Sequence, residues 1–158
     1  MTGAPMSKLE GDLAIVRVFD APPTLVFKAW TDPKMLTRWW GPRMVTHSTC
    51  EMDVRVGGNL RIVMHGPNGA KYPMKGVFKE IVAPERLVFT SIAVDEKENH
   101  LLEGETRVTF EEVDGGKTKM TLYTKVVGKV PQAEFMIGGM KQGWTESIDK
   151  LGELLAQS

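Results

Sequence analysis

The 158 residues suffice for one sizeable core, and a composition 42% apolar and 25% charged is ordinary for a soluble globular domain. Twenty Lys and Arg balance twenty Asp and Glu, so the sequence carries no electrostatic footprint for nucleic acid or an anionic membrane. Cys50 is the only cysteine, residues 1–12 lack the apolar run of a signal peptide, and no segment approaches the roughly 18 apolar residues of a membrane span; the expectation is a reducing, cytoplasmic location without disulfides.

Residues 1–12 read as a loose terminus, followed by a single domain over 13–158. Residues 13–19 centre on Ile15 and Val16 and predict a strand. Ala21-Pro22-Pro23 ends it and opens a short helix with Leu25, Val26, Ala29 and Trp30 on one face. Asp32-Pro33 starts a second short helix, since Asp caps free N–H groups and Pro fits the first helical position. From Met44 the period changes to two. Residues 44–53, 59–65, 71–82, 86–94, 103–112 and 117–127 predict six further strands, separated by Gly, Pro and Asp turns. Short turns favour antiparallel neighbours, because parallel pairs need long crossovers.

Residues 131–158 predict one long amphipathic helix. Ala133, Met136, Ile137, Met140, Trp144, Ile148, Leu151, Leu154 and Leu155 fall on one stripe, with Phe135 on the other side. One such helix beside a seven-stranded antiparallel sheet predicts an α+β helix-grip architecture, with the two short helices closing one end. Gly139 and Gly143 flank the stripe, and each costs roughly 1 kcal/mol relative to Ala inside a helix. Either close packing or room for a ligand would offset that cost. The chain holds ten Met, which fill irregular space. Met136 and Met140 lie where a gap between helix and sheet would be widest, with Met64, Met74 and Met120 as facing candidates. A solid Met-rich core is the alternative.

The stretches Phe19-Asp20-Ala21-Pro22-Pro23, Ala29-Trp30-Thr31-Asp32-Pro33, Arg38-Trp39-Trp40-Gly41-Pro42 and Asp53-Val54-Arg55-Val56-Gly57-Gly58 come in that order. Gly76-Val77-Phe78, Pro84-Glu85-Arg86-Leu87-Val88-Phe89, Thr118-Lys119-Met120-Thr121 and Gly143-Trp144 follow. Together they resemble single-domain proteins related to the C-terminal domain of the activator of the heat-shock protein 90 ATPase, in the START-like (SRPBCC) superfamily. The resemblance covers about residues 13–155. It implies a helix-grip fold with a cavity between helix and sheet, and, through the family name, a stress-response or chaperone role. The eukaryotic activator also has an N-terminal domain that takes part in chaperone binding, for which the expectation here is no counterpart.

The function expected is binding of a small, mainly apolar molecule. A chaperone-cofactor-like interaction domain is one alternative, with Val88 and Ile92 contributing on the outer sheet face. A cavity enzyme of cyclase, dehydratase or hydrolase type is the other. Alternation and the helix stripe give the expected lining as Trp39, Leu60, Ile62, Met64, Met74, Phe78, Phe89, Val108, Met120, Leu122, Met136, Met140 and Trp144. Ser91, Thr106 and Thr124 are the polar candidates, or Arg61, His65 and Tyr123 if the phase is reversed. The adjacent Trp39 and Trp40 read as a plug at the end of the grip, or as one roof residue and one outward residue. Asp53 and Arg55 read as a turn-holding pair.

No catalytic residue, metal site or cofactor is expected. His47, His65, His100 and Cys50 match no zinc spacing, and hydrolase and nucleotide motifs are absent. A monomer or homodimer is the expected assembly.

Overall fold

The computed structural model describes residues 9–157. Of the expected loose terminus over residues 1–12, residues 1–8 lie outside the described residues, as does Ser158, whereas residues 10–12 are corrected to the start of the first strand. The elements are β1 (Glu10–Phe19), α1 (Pro23–Thr31), α2 (Pro33–Leu36), β2 (His47–Met52), β3 (Asn59–His65), β4 (Lys71–Val82), β5 (Arg86–Val94), β6 (His100–Val113), β7 (Lys117–Gly128), α3 (Ala133–Gly138) and α4 (Met140–Ala156).

The seven strands form one antiparallel sheet in the order β1-β7-β6-β5-β4-β3-β2. The first two strands in sequence are thus the two edges, and α1 and α2 connect them. With the C-terminal helix across one face, this is the helix-grip fold. β1 begins at Glu10, earlier than the expected residue 13, because its backbone pairs from Glu10 opposite Val127.

Alternation selects the inner face. Leu60, Ile62, Met74, Phe78, Leu87, Phe89, Val108, Phe110, Met120 and Leu122 are all buried. β4 read ambiguously in sequence; Met74, Gly76 and Phe78 are its inward residues, and the register shifts between Phe78 and Glu80. α1 lays Val26, Phe27, Ala29 and Trp30 on this core, with the Phe27 ring edge-on to Phe110 at 5.6 Å. Asp32 caps α2 by accepting from the Lys34 N–H at 2.9 Å.

The single long helix is corrected to two segments. α3 ends at Gly138, and α4 starts at Met140 after Gly139. The apolar stripe runs through the break, which is why periodicity alone missed it; two consecutive residues without a Cβ make the helix weakest there. α4 anchors by burying Ile148, Leu151, Leu154 and Leu155. On its flank Asp149 accepts from Arg17 of β1 at 2.8 Å.

Both adjacent tryptophans enter the same core, contrary to the outward alternative. Trp39 is fully buried and Trp40 nearly so, with ring centroids 5.7 Å apart. Their amides both turn back to the Leu36 carbonyl, and the tight turn fans the two rings around Trp30.

Candidate functional site

A cavity of about 220 Å³ lies between the first half of the C-terminal helical region and the sheet. Met136, Met140, Gly143, Trp144 and Ser147 form its helical wall. Met64, Met74, Ser91, Ala93, Leu102, Thr124 and Val126 come from the strands, and Trp40, Gly41 and Pro42 close one side.

Ser91 and Ala93 of β5 are the small strand residues of the wall. Ser91 of β5 is opposite Gly104 of β6, which is opposite Val126 of β7. A Cβ on Gly104 would fall 2.7 Å from Val126 Cγ1 and 2.9 Å from the Lys125 carbonyl, so only glycine lets these strands lie so close there. On the helix side, a Cβ on Gly143 would meet nothing within 4 Å. Its helical cost is therefore not offset by a close backbone contact, and the missing side chain leaves open space beside the cavity.

Five of the residues expected from sequence line this cavity: Met64, Met74, Met136, Met140 and Trp144. The other eight do not. Trp39, Leu60, Ile62, Phe78, Phe89, Val108, Met120 and Leu122 are 0–3% exposed and fill a solid core. The rings of α1 and the loop after α2 cause this. Trp30 stands within 6.5 Å of Trp39, Trp40, Phe89, Phe110 and Trp144, centroid to centroid, and occupies the room that a wider cavity would have taken. Sequence reading leaves out Gly41, Pro42, Ala93, Leu102, Val126 and Ser147; it keeps Trp40 open as a roof residue and marks Gly143 as room for a ligand, and both are in the wall.

The wall is apolar apart from a few hydroxyls. Among the described residues Ser91 Oγ has no hydrogen-bond partner, so it is open to a guest. Thr124 Oγ1 is shared with Thr106 Oγ1 at 2.9 Å and the Glu105 carbonyl at 3.3 Å. Ser147 Oγ donates to the Gly143 carbonyl at 2.9 Å and accepts from the Gly41 N–H at 3.1 Å. That bond ties the Trp39-Trp40-Gly41-Pro42 loop to α4. Gly41 has φ +101°, a left-handed conformation that strains any residue with a Cβ, so glycine is favoured there.

No titratable side chain lines the cavity among the described residues, so its walls supply no general acid or base. Arg61, His65 and Tyr123 are on the outer face, because their neighbours Ile62, Met64 and Leu122 point inward. Arg61 pairs with Glu98 at 3.0 Å and Glu105 with Lys79 at 3.1 Å. Asp53 and Arg55 pair at 2.6 Å across an exposed turn. Of the residues expected on an outer interaction surface, Val88 is buried and Ile92 half-buried. Cys50 is half-buried on β2, and burial, helped by the Glu51 charge, pushes its thiol up to about 11. No described group of three or more His, Cys, Asp or Glu could hold a metal ion. No described helix is long and apolar enough to cross a membrane.

Solved structures share this architecture. A protein of Arthrobacter aurescens is 29% identical, with 97% of this chain and 89% of that one covered and a TM-score of 0.80. A protein of Mycobacterium smegmatis is 27% identical, with 96% and 94% covered and a TM-score of 0.76. The AHSA1 protein of Silicibacter pomeroyi is 24% identical, with 93% and 99% covered and a TM-score of 0.72, a likeness of fold. No curated protein sequence matches the chain. The model of the activator of Hsp90 ATPase homolog 1-like proteins matches residues 20–156, which span β2 to β7, the tryptophan loop and both C-terminal helices, and the chain belongs to that family.

Proposed function

We propose that this protein binds a small, uncharged, mainly apolar molecule between the face formed by Met136, Met140, Gly143 and Trp144 and the sheet. The carrying observation is the cavity of about 220 Å³, apolar-walled and without a titratable side chain. It exceeds the roughly 150 Å³ of an apolar cavity that takes up benzene. Burying a charge against such a wall would go uncompensated, whereas one hydroxyl or carbonyl on the guest could use Ser91 Oγ. A lone thiol held protonated suits the reducing cytoplasm expected from the sequence.

The test uses 1-naphthol, an apolar ring with one hydroxyl, followed by quenching of Trp40 and Trp144 fluorescence. Saturable quenching is expected, with binding at least tenfold weaker for the anionic 1-naphthalenesulfonate. Quenching that never saturates, or that is equal for both probes, would sink the reading.

The family description supports a second reading, a chaperone-interacting domain. It expects capture by an Hsp90-type chaperone and a change in that chaperone's ATPase rate. Absence of both counts against it.

A further inference from the structure

Away from the cavity, His47 of β2 and His65 of β3 are direct cross-strand partners. Their inward neighbours are Ser48 and Met64, so the two imidazoles share the outer face of the sheet. The rings are stacked 4.1 Å apart, with planes only 7° from parallel. Thr46 Oγ1 stands 3.4 Å from His47 Nδ1. Among the described residues neither ring has a carboxylate partner, unlike His100, whose Nδ1 is 2.6 Å from Glu103 Oε2.

We propose that His47 and His65 form a two-imidazole chelate for a divalent late transition ion such as Ni2+, Zn2+ or Cu2+. Such ions favour neutral imidazole, while Mg2+ and Ca2+ require oxygen donors that this site lacks. Two nitrogens about 2.0–2.1 Å from one ion, at angles between tetrahedral and square, stand roughly 2.9–3.4 Å apart. In the stacked pair, with centroids 4.1 Å apart and planes nearly parallel, the in-plane lone pairs run side by side and do not meet at one point. Chelation therefore requires both rings to turn about their side-chain torsions, of which the Cβ–Cγ torsion of His is broad. Adjacent paired strands hold the two side chains ready, which cuts the ordering cost of the second ligand.

The charged groups bearing on His65 are His47 and Lys71. Lys71, its β4 partner, opposes a further positive charge, so binding rests on coordination and not on charge attraction. Water fills the remaining coordination positions. A bound ion would also pin the edge strand β2 to β3.

Isothermal titration of the full chain with NiCl2 at pH 7.5 tests the site. One ion per chain is expected, with affinity falling at least tenfold in both His47→Gln and His65→Gln. His100→Gln should leave it unchanged. Imidazole nitrogen shifts in NMR spectra with ZnCl2 should move for His47 and His65 together. Equal affinity in either single variant and the native chain, or loss in the His100 variant alone, would overturn the assignment. So would shifts confined to one ring. Both positions are at the surface, so circular dichroism of the variants should match the native chain.

Discussion

Gly143 joins stability to the cavity, and replacing it separates the two. It lies inside α4, where glycine costs about 1 kcal/mol relative to Ala. A Cβ at this position meets no atom within 4 Å, and its backbone N–H keeps its 2.9 Å bond to the Gly139 carbonyl whatever the side chain. Gly143→Ala is therefore expected to stabilise by about 1 kcal/mol, a rise in Tm of about 2–4 °C for a chain of this size. Gly143→Leu carries a side chain into the cavity wall. Full burial of Leu contributes about 1.5–3 kcal/mol, and roughly half of that is expected at this half-open position, in addition to the helix gain. The assay pairs thermal unfolding by circular dichroism with 1-naphthol titration. The Leu variant should melt higher and lose saturable quenching. A fall in Tm for Gly143→Ala would refute the reasoning that this glycine faces open space. Undiminished naphthol affinity in a well-folded Gly143→Leu chain would place the probe elsewhere.

Removing the hydroxyl in Ser147→Ala leaves the buried Gly41 N–H without an acceptor and should cost about 1–3 kcal/mol in urea unfolding; a loss under about 0.5 kcal/mol would show that the loop is not tied there. The two helical segments should respond unequally. Leu151→Ala, at a fully buried site, should cost about 2–5 kcal/mol, and Met136→Ala, 38% exposed, less than about 1 kcal/mol; similar costs would contradict the division between anchor and cavity wall. Cys50, raised from its ordinary 9.0 to about 11, should alkylate with iodoacetamide at least tenfold more slowly at pH 8 than a free thiol. The same raised value means that its contribution to stability is complete below pH 9 and is lost as pH rises through about 11; alkylation as fast as for free cysteine would refute the burial.

The seven strands, the two short helices and the apolar stripe of the C-terminal helix could be read from residues alone. Period two and period 3.6 are local consequences of backbone geometry, and turn residues mark the ends. The anchoring role of Ile148, Leu151, Leu154 and Leu155 was legible for the same reason. So were Met64, Met74, Met136, Met140 and Trp144 as wall residues, because a face can be assigned without knowing its neighbours.

The extent of the cavity could not be read this way. Alternation says that Phe78, Phe89, Met120 and Leu122 point inward, but not that Trp30 and Trp39 arrive from the connection between β1 and β2 to fill the space before them. Nor does it align Ser91 with Gly104 and Val126, where only a glycine fits between the adjacent strands. The pairing of His47 with His65 likewise exists only once β2 and β3 adopt their register, nearly twenty positions apart in the chain. Local periodicity sets the direction of each side chain. Which side chains meet, and where they fail to, is decided by long-range register and by the volume of distant rings, and those are properties of the tertiary structure.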